Sequence, residues 1–129
     1  MSQVQRLIDI IENTPVALRE QIMYYDKPRN EVRYLLGITD RMPYYKFPHL
    51  YPKLQKLIKA GKLHEFGIGL SYCDPNMSET FVHEALHVLY PKLDNEGLID
   101  RLAEYYHNKP EIKKAVQRRL VYETGRKGL

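Results

Sequence analysis

Residues 83–100 read His83-Glu84-Ala85-Leu86-His87-Val88-Leu89-Tyr90-Pro91-Lys92-Leu93-Asp94-Asn95-Glu96-Gly97-Leu98-Ile99-Asp100. On a helix, residues four apart share a face, so His83 and His87 project together one turn apart. The opposite stripe, Val82, Ala85, Leu86 and Leu89, is apolar at i, i+3, i+4 and i+7, which predicts one side in a core. Ser78 is placed to cap this helix and Pro91 to end it. After a tight hairpin, 91–95, Asp94 is placed to cap a second helix running to about His107. That helix has the same double character. Leu98, Leu102 and Tyr105, joined by Ile99 and Tyr106, predict a buried stripe. Glu96, Asp100, Ala103 and His107 fall within about 60° of one another at about 100° per residue. Gly97 and Ala103 are small enough to let the two helices approach.

Two imidazoles one turn apart can hold a metal ion through their ring nitrogens, at about 2.0–2.1 Å for zinc. Glu84 sits about 100° round the helix from His83. That position suits a base beside the metal's water better than a third ligand. Glu96 is the preferred third ligand, with Glu104 and His107 as rivals. A ligating imidazole also needs an acceptor for its second N–H, and Asp100, one turn beyond Glu96, suits that role.

Outward from this centre, Ser2 predicts the cap of a first helix to about Asn13, with Val4, Leu7, Ile8 and Ile11 on one face. Thr14-Pro15 predicts the start of a second helix, to about Tyr25, broken by Asp26-Lys27-Pro28. Residues 31–39 fit either a strand or a short helix. Pro43, Pro48 and Pro52, set among Tyr44, Tyr45 and Tyr51, suggest an extended connection. A helix from about Leu50 to Ala60 follows, with Gly61 at its end. Residues 64–72 alternate as a strand, with Phe66, Ile68, Leu70 and Tyr72 on one side and Glu65, Gly67, Gly69 and Ser71 on the other. A substrate strand could pair along the edge of this segment, where Gly67 and Gly69 leave space. A last helix is expected over about 110–123, and Gly125 to Leu129 read as a frayed tail. The fold expected is therefore α+β: one mostly helical domain with a small sheet.

The chain has 129 residues, 43% hydrophobic and 28% charged, which suits a single folded domain. No apolar run approaches the roughly 20 residues needed to span a bilayer. The start reads as an amphipathic helix rather than a signal peptide. Cys73 is the one cysteine, which rules out an internal disulfide and is compatible with a cytoplasmic location. It is expected to be a small buried side chain. His49 and His64 read as surface or core histidines. Net charge is +4, with the excess late, at Lys113, Lys114, Arg118, Arg119, Arg126 and Lys127. A solvated helix face is preferred there to a nucleic-acid contact, because the charge is modest and no binding motif accompanies it.

The residues over 83–104, about a sixth of the chain, resemble the gluzincin tribe of zinc metallopeptidases. His83-Glu84-Ala85-Leu86-His87 matches the H-E-x-x-H motif in full. Asn95-Glu96-Gly97 looks like the N-E-G of the leukotriene-hydrolase-type aminopeptidases. Glu96-Gly97-Leu98-Ile99-Asp100 resembles the E-x-x-x-D of thermolysin-like and prenyl-protease-type enzymes. The short chain and short link look most like the stand-alone members called minigluzincins.

That resemblance implies Zn²⁺ held by His83, His87 and Glu96, with Glu84 as catalytic base and Asp100 as acceptor from His83. It implies hydrolysis of a peptide or protein substrate. It also implies a latent form in which the C-terminal segment covers the site. A donor for the tetrahedral oxyanion is needed, and Tyr72, Tyr106 and His107 are the candidates. The competing readings are a zinc-stabilised interaction module without turnover and a basic nucleic-acid-associated protein.

Overall fold

The computed structural model describes residues 2–20, 22–26, 29–39 and 67–129. The expected helix at 50–60, Gly61, His49 and His64 lie outside the described residues. Helix α1 spans Gln3–Asn13, β1 Val16–Arg19, β2 Ile22–Asp26, β3 Glu31–Leu35, β4 Gly37–Thr39 and β5 Ile68–Ser71. Helices α2 Met77–Leu89, α3 Glu96–His107 and α4 Pro110–Lys127 follow. The fold is a mostly helical α+β arrangement.

Helix α1 forms as its pattern requires. The Ser2 hydroxyl accepts from the Gln5 N–H at 3.1 Å, and Leu7 and Ile11 are fully buried. The expected second helix does not form: Val16–Arg19 and Ile22–Asp26 are strands. Val16, Ala17 and Leu18 are all buried. A short apolar run after a proline reads equally as a buried strand or a helix turn, and here non-local pairing decides. β1 runs parallel to β5, with Val16 opposite Ile68 and Leu18 opposite Leu70. Residues 31–39 resolve as strands. β3 pairs antiparallel with β2, through a turn in which Asn30 adopts a left-handed φ of 52°. β4 pairs antiparallel with β5, giving a sheet of order β1-β5-β4.

This order corrects the expectation of a substrate-binding edge at Gly67 and Gly69. β5 is the central strand, with β1 on one side and β4 on the other. Gly69 pairs with Ala17 and Ile38. Gly67 has a φ of 145°, and a Cβ there would lie 2.4 Å from the Pro15 carbonyl oxygen. That same oxygen accepts from the Ile68 N–H at 2.8 Å. The glycine is therefore required by the approach of β1, not by a ligand.

The sheet and the helices share one core. Phe81, Val82, Ala85 and Leu86 of α2 are fully buried, with Ile99 and Ala103 of α3 and Ile112, Ala115 and Val116 of α4. The stripe expected on α3 is rotated. Ile99 and Ala103 are its buried residues, whereas Leu98 and Tyr105 face solvent. The caps also differ. Asn76 precedes α2, and Asn95, not Asp94, caps α3 by accepting from the Leu98 N–H at 3.0 Å.

Helix α4 continues to Lys127, and residues 124–129 are not a frayed tail. Gly128 closes the helix at φ 73°, and the Leu129 N–H bonds the Thr124 carbonyl. Not all of the late basic residues are a solvated face. The partly buried Arg119 guanidinium lies beside the buried Glu123 and donates at 3.1 Å to its carboxylate. It also donates to the carbonyls of Ile11 at 2.8 Å and Thr14 at 2.7 Å, so α4 satisfies the end of α1. No helix among the described residues is long and apolar enough to cross a membrane.

Removing this clamp takes the nearer of two cations from the buried Glu123 carboxylate, leaving Arg126 at 3.5 Å, and takes the guanidinium donors from the Ile11 and Thr14 carbonyls. Arg119→Ala is expected to cost about 3 kcal/mol of stability, read as a lower urea midpoint. A midpoint equal to that of the parent chain would refute the role.

Candidate metal centre

The hairpin between α2 and α3 brings His83, His87 and Glu96 together. His83 Nε2 lies 3.2 Å from His87 Nε2. The Glu96 carboxylate places Oε2 3.0 Å from His83 Nε2 and Oε1 3.0 Å from His87 Nε2. Four ligands held tetrahedrally at about 2.0–2.1 Å are about 3.3 Å apart, so these separations are close to the edges of such a site. Glu96 occupies the first position of α3, immediately after its Asn95 cap. The local cap thus sets the height at which the carboxylate meets the two rings.

His83 Nδ1 lies 2.8 Å from Asp100 Oδ1. When Nδ1–H donates to that carboxylate, Nε2 keeps its lone pair and points it at the cluster. Two imidazole lone pairs and a carboxylate then converge, an arrangement that calls for a positive charge between them. His83, Glu84 and His87 could hold a metal ion, their ligand atoms all lying within 4.8 Å of one another. Within that group Glu84 is the outlier. Its Oε2 stands 3.9 Å from His83 Nε2, whereas Glu96 reaches both rings at 3.0 Å. By distance Glu96 is therefore the better placed to complete a ligand set, and Glu84 stands beside the cluster.

Glu84 is 5% exposed. Its Oε1 and its own backbone carbonyl each lie 2.9 Å from the hydroxyl of Thr39, on β4. Gly37, two residues earlier on the same strand, admits this approach. A Cβ at Gly37 would lie 2.5 Å from the Thr80 methyl group and 3.3 Å from Glu84 Oε2. The buried Asp74 carboxylate accepts from the Asn76 N–H at 2.8 Å and from the Thr80 hydroxyl, fixing the entry to α2. Sequence reading missed Thr39, Gly37 and Asp74. The one available signal was a glycine inside an apolar run at Leu35 to Ile38.

A cavity of about 460 Å³ opens beside these groups. Leu36, Gly37 and Asp74 line it together with Glu79, Thr80, His83 and Glu84 of α2 and Asp100, Ala103 and Glu104 of α3. Glu104, the rival third ligand, belongs to this lining.

None of the three oxyanion candidates lines this cavity. Tyr72 is exposed just past the end of β5. Tyr106 packs with Tyr90 on the core, and burial together with the Tyr90 hydroxyl raises its pKa above the ordinary phenol value. His107 Nε2 lies 3.0 Å from the Ser78 hydroxyl, beside a different cavity that faces α4. Ser78 is thus within the helix rather than its cap. Cys73 is exposed, not buried as expected, because it falls in the turn after β5. Neither α4 nor residues 128–129 are among the residues that line the cavity at His83. Helix α4 packs against α1, with Arg119 on the Ile11 and Thr14 carbonyls.

Compared with models of protein families, with curated proteins and with solved structures, the chain matches none of them.

Removing the imidazole's partner tests this geometry without disturbing the ligands. Asp100→Ala is expected to weaken binding of Zn²⁺ or Co²⁺ about 10- to 100-fold, and His87→Ala more severely, in competition with a chromophoric chelator. Undiminished affinity in both variants would mean that the cluster holds no ion.

Proposed function

We propose that the chain is a zinc-dependent peptidase of the gluzincin type, with His83, His87 and Glu96 holding the metal and Glu84 as general base. One observation carries this reading: a buried carboxylate stands beside a three-ligand cluster without joining it. A structural zinc site fills all four positions with protein, whereas a catalytic one leaves a position open. Among the described residues, three side chains converge at ligand distances. Glu84 Oε2 faces the cluster from outside.

Zinc bound there would lower the pKa of water toward neutrality and polarise the scissile carbonyl. The residues do the rest. Glu84 accepts the proton of the attacking water at Oε2 and returns it to the leaving amine. Asp100 holds His83 in one tautomer and one ring angle. The cavity along α2 and α3 supplies a wall for the substrate on the side of Glu79 and Glu104. A substrate backbone pairs with β4 rather than β5, since among the described residues β4 is bonded along one edge only, to β5. The strand Gly37–Thr39 passes directly over Glu84, which brings an aligned peptide bond to the base.

Glu84→Gln separates chemistry from binding. The variant is expected to take up one zinc with parent affinity while cleavage of an unfolded protein falls by about 10²- to 10⁴-fold. The parent activity should vanish with a chelator and return with Zn²⁺. A zinc-loaded parent chain that cuts no peptide, or a Glu84→Gln variant as active as the parent, would reject the peptidase reading.

A further inference from the structure

We infer that Thr39 is the positioning residue for Glu84: its hydroxyl fixes the rotation of the carboxylate so that Oε2 alone faces the metal cluster. The inference rests on the peptidase reading and assigns a residue that the motif does not contain.

Three observations meet at this point. Thr39 is 8% exposed and its hydroxyl lies 2.9 Å from Glu84 Oε1. Glu84 Oε2 is the oxygen that stands 3.9 Å from His83 Nε2. It is also the oxygen over which Gly37 leaves room, since a Cβ there would intrude to 3.3 Å. The two oxygens of one carboxylate therefore have different surroundings. One accepts from a buried hydroxyl, and the other lies 3.9 Å from His83 Nε2 and beside Gly37, where a Cβ would crowd it.

A hydroxyl has one proton to give. Two acceptors lie at equal distance, Glu84 Oε1 and the Glu84 carbonyl. The carboxylate is the stronger acceptor. The helix carbonyl shares the same proton as the weaker acceptor of a bifurcated bond. The bond to Oε1 is compatible with both states of the base. When Oε2 takes a proton, Oε1 still has a lone pair for Thr39. The proton thus arrives and leaves at one atom with no turn of the carboxylate between the steps. Pre-set orientation of this kind acts on turnover rather than on substrate binding. β4 supplies both Gly37 and Thr39 from one face, being two residues apart on a strand. The strand that the proposed mechanism uses to align a peptide thereby also aims the base.

The test compares Thr39→Val, which keeps the shape and loses the donor, with Thr39→Ser, which keeps the donor. Thr39→Val is expected to bind zinc stoichiometrically with parent affinity and to lose about 10- to 100-fold in kcat at unchanged KM. Thr39→Ser should stay within about threefold of the parent. If the valine variant fails to fold, Thr39→Ala makes the same deletion with less bulk.

A readout apart from turnover is the crystal structure of the zinc-loaded variants. Glu84 should rotate or occupy more than one conformer in Thr39→Val and keep one orientation in Thr39→Ser. Parent kcat in the valine variant, an equal loss in the serine variant, or a Glu84 carboxylate unmoved by loss of the hydroxyl would each overturn the inference. A zinc-loaded parent chain that cleaves nothing counts against the peptidase reading instead, and the orientation of Glu84 then judges Thr39 on its own.

Discussion

Imidazole nitrogens and carboxylate oxygens that meet about 3 Å apart need a shared proton or a cation between them. His83 Nε2, His87 Nε2 and the Glu96 carboxylate meet in this way, and Asp100 lies 2.8 Å from the far nitrogen of His83, where it can accept an Nδ1–H and leave the Nε2 lone pair aimed inward. The packing around the site serves this convergence. The apolar back of α2, from Phe81 to Leu86, is fully buried and cannot rotate without opening the core. Ile99 and Ala103 seat α3 against it. The Asn95 cap sets where α3 begins and therefore where Glu96 stands. The cluster lies near the surface, with the Glu96 and Asp100 side chains largely exposed and the two rings mostly covered. Such a layout leaves one side of an ion open to a ligand from solution.

Most of the site was legible because it is local. The spacing of His83 and His87, Glu84 between them and the carboxylate pair on the next helix depend on helical period and a short link. Those hold over a few turns whatever the rest of the chain does. The sheet was not legible in the same way. Val16 to Leu18 form a strand because Ile68 to Leu70 lie beside them, about fifty residues along the chain. Gly67 reads as a place of close approach, which is right, but only the partner strand reveals that Pro15 is what approaches.

The contribution of β4 was hidden for the same reason. Nothing near Thr39 in sequence announces Glu84, 45 residues away. The hydroxyl matters only once β4 has paired with β5 and the sheet has been laid across α2. Likewise, the run of late basic residues reads as a solvated face. Arg119 departs from it because its guanidinium finds two helix-end carbonyls and a buried carboxylate. Stripes on α3 were misjudged by one helical step. Leu98 is as apolar as Ile99, and only the position of α2 decides which of them is covered.

The knot at Arg119 limits how this molecule could ever be controlled by proteolysis. Ile112, Ala115 and Val116 fill the centre of the domain, and Arg119 closes the end of the first helix. A protease cutting ahead of that arginine would dismantle the scaffold that holds the imidazoles instead of unlocking them. The residues beyond Glu123 lie outside that core, and none of them lines the cavity at His83.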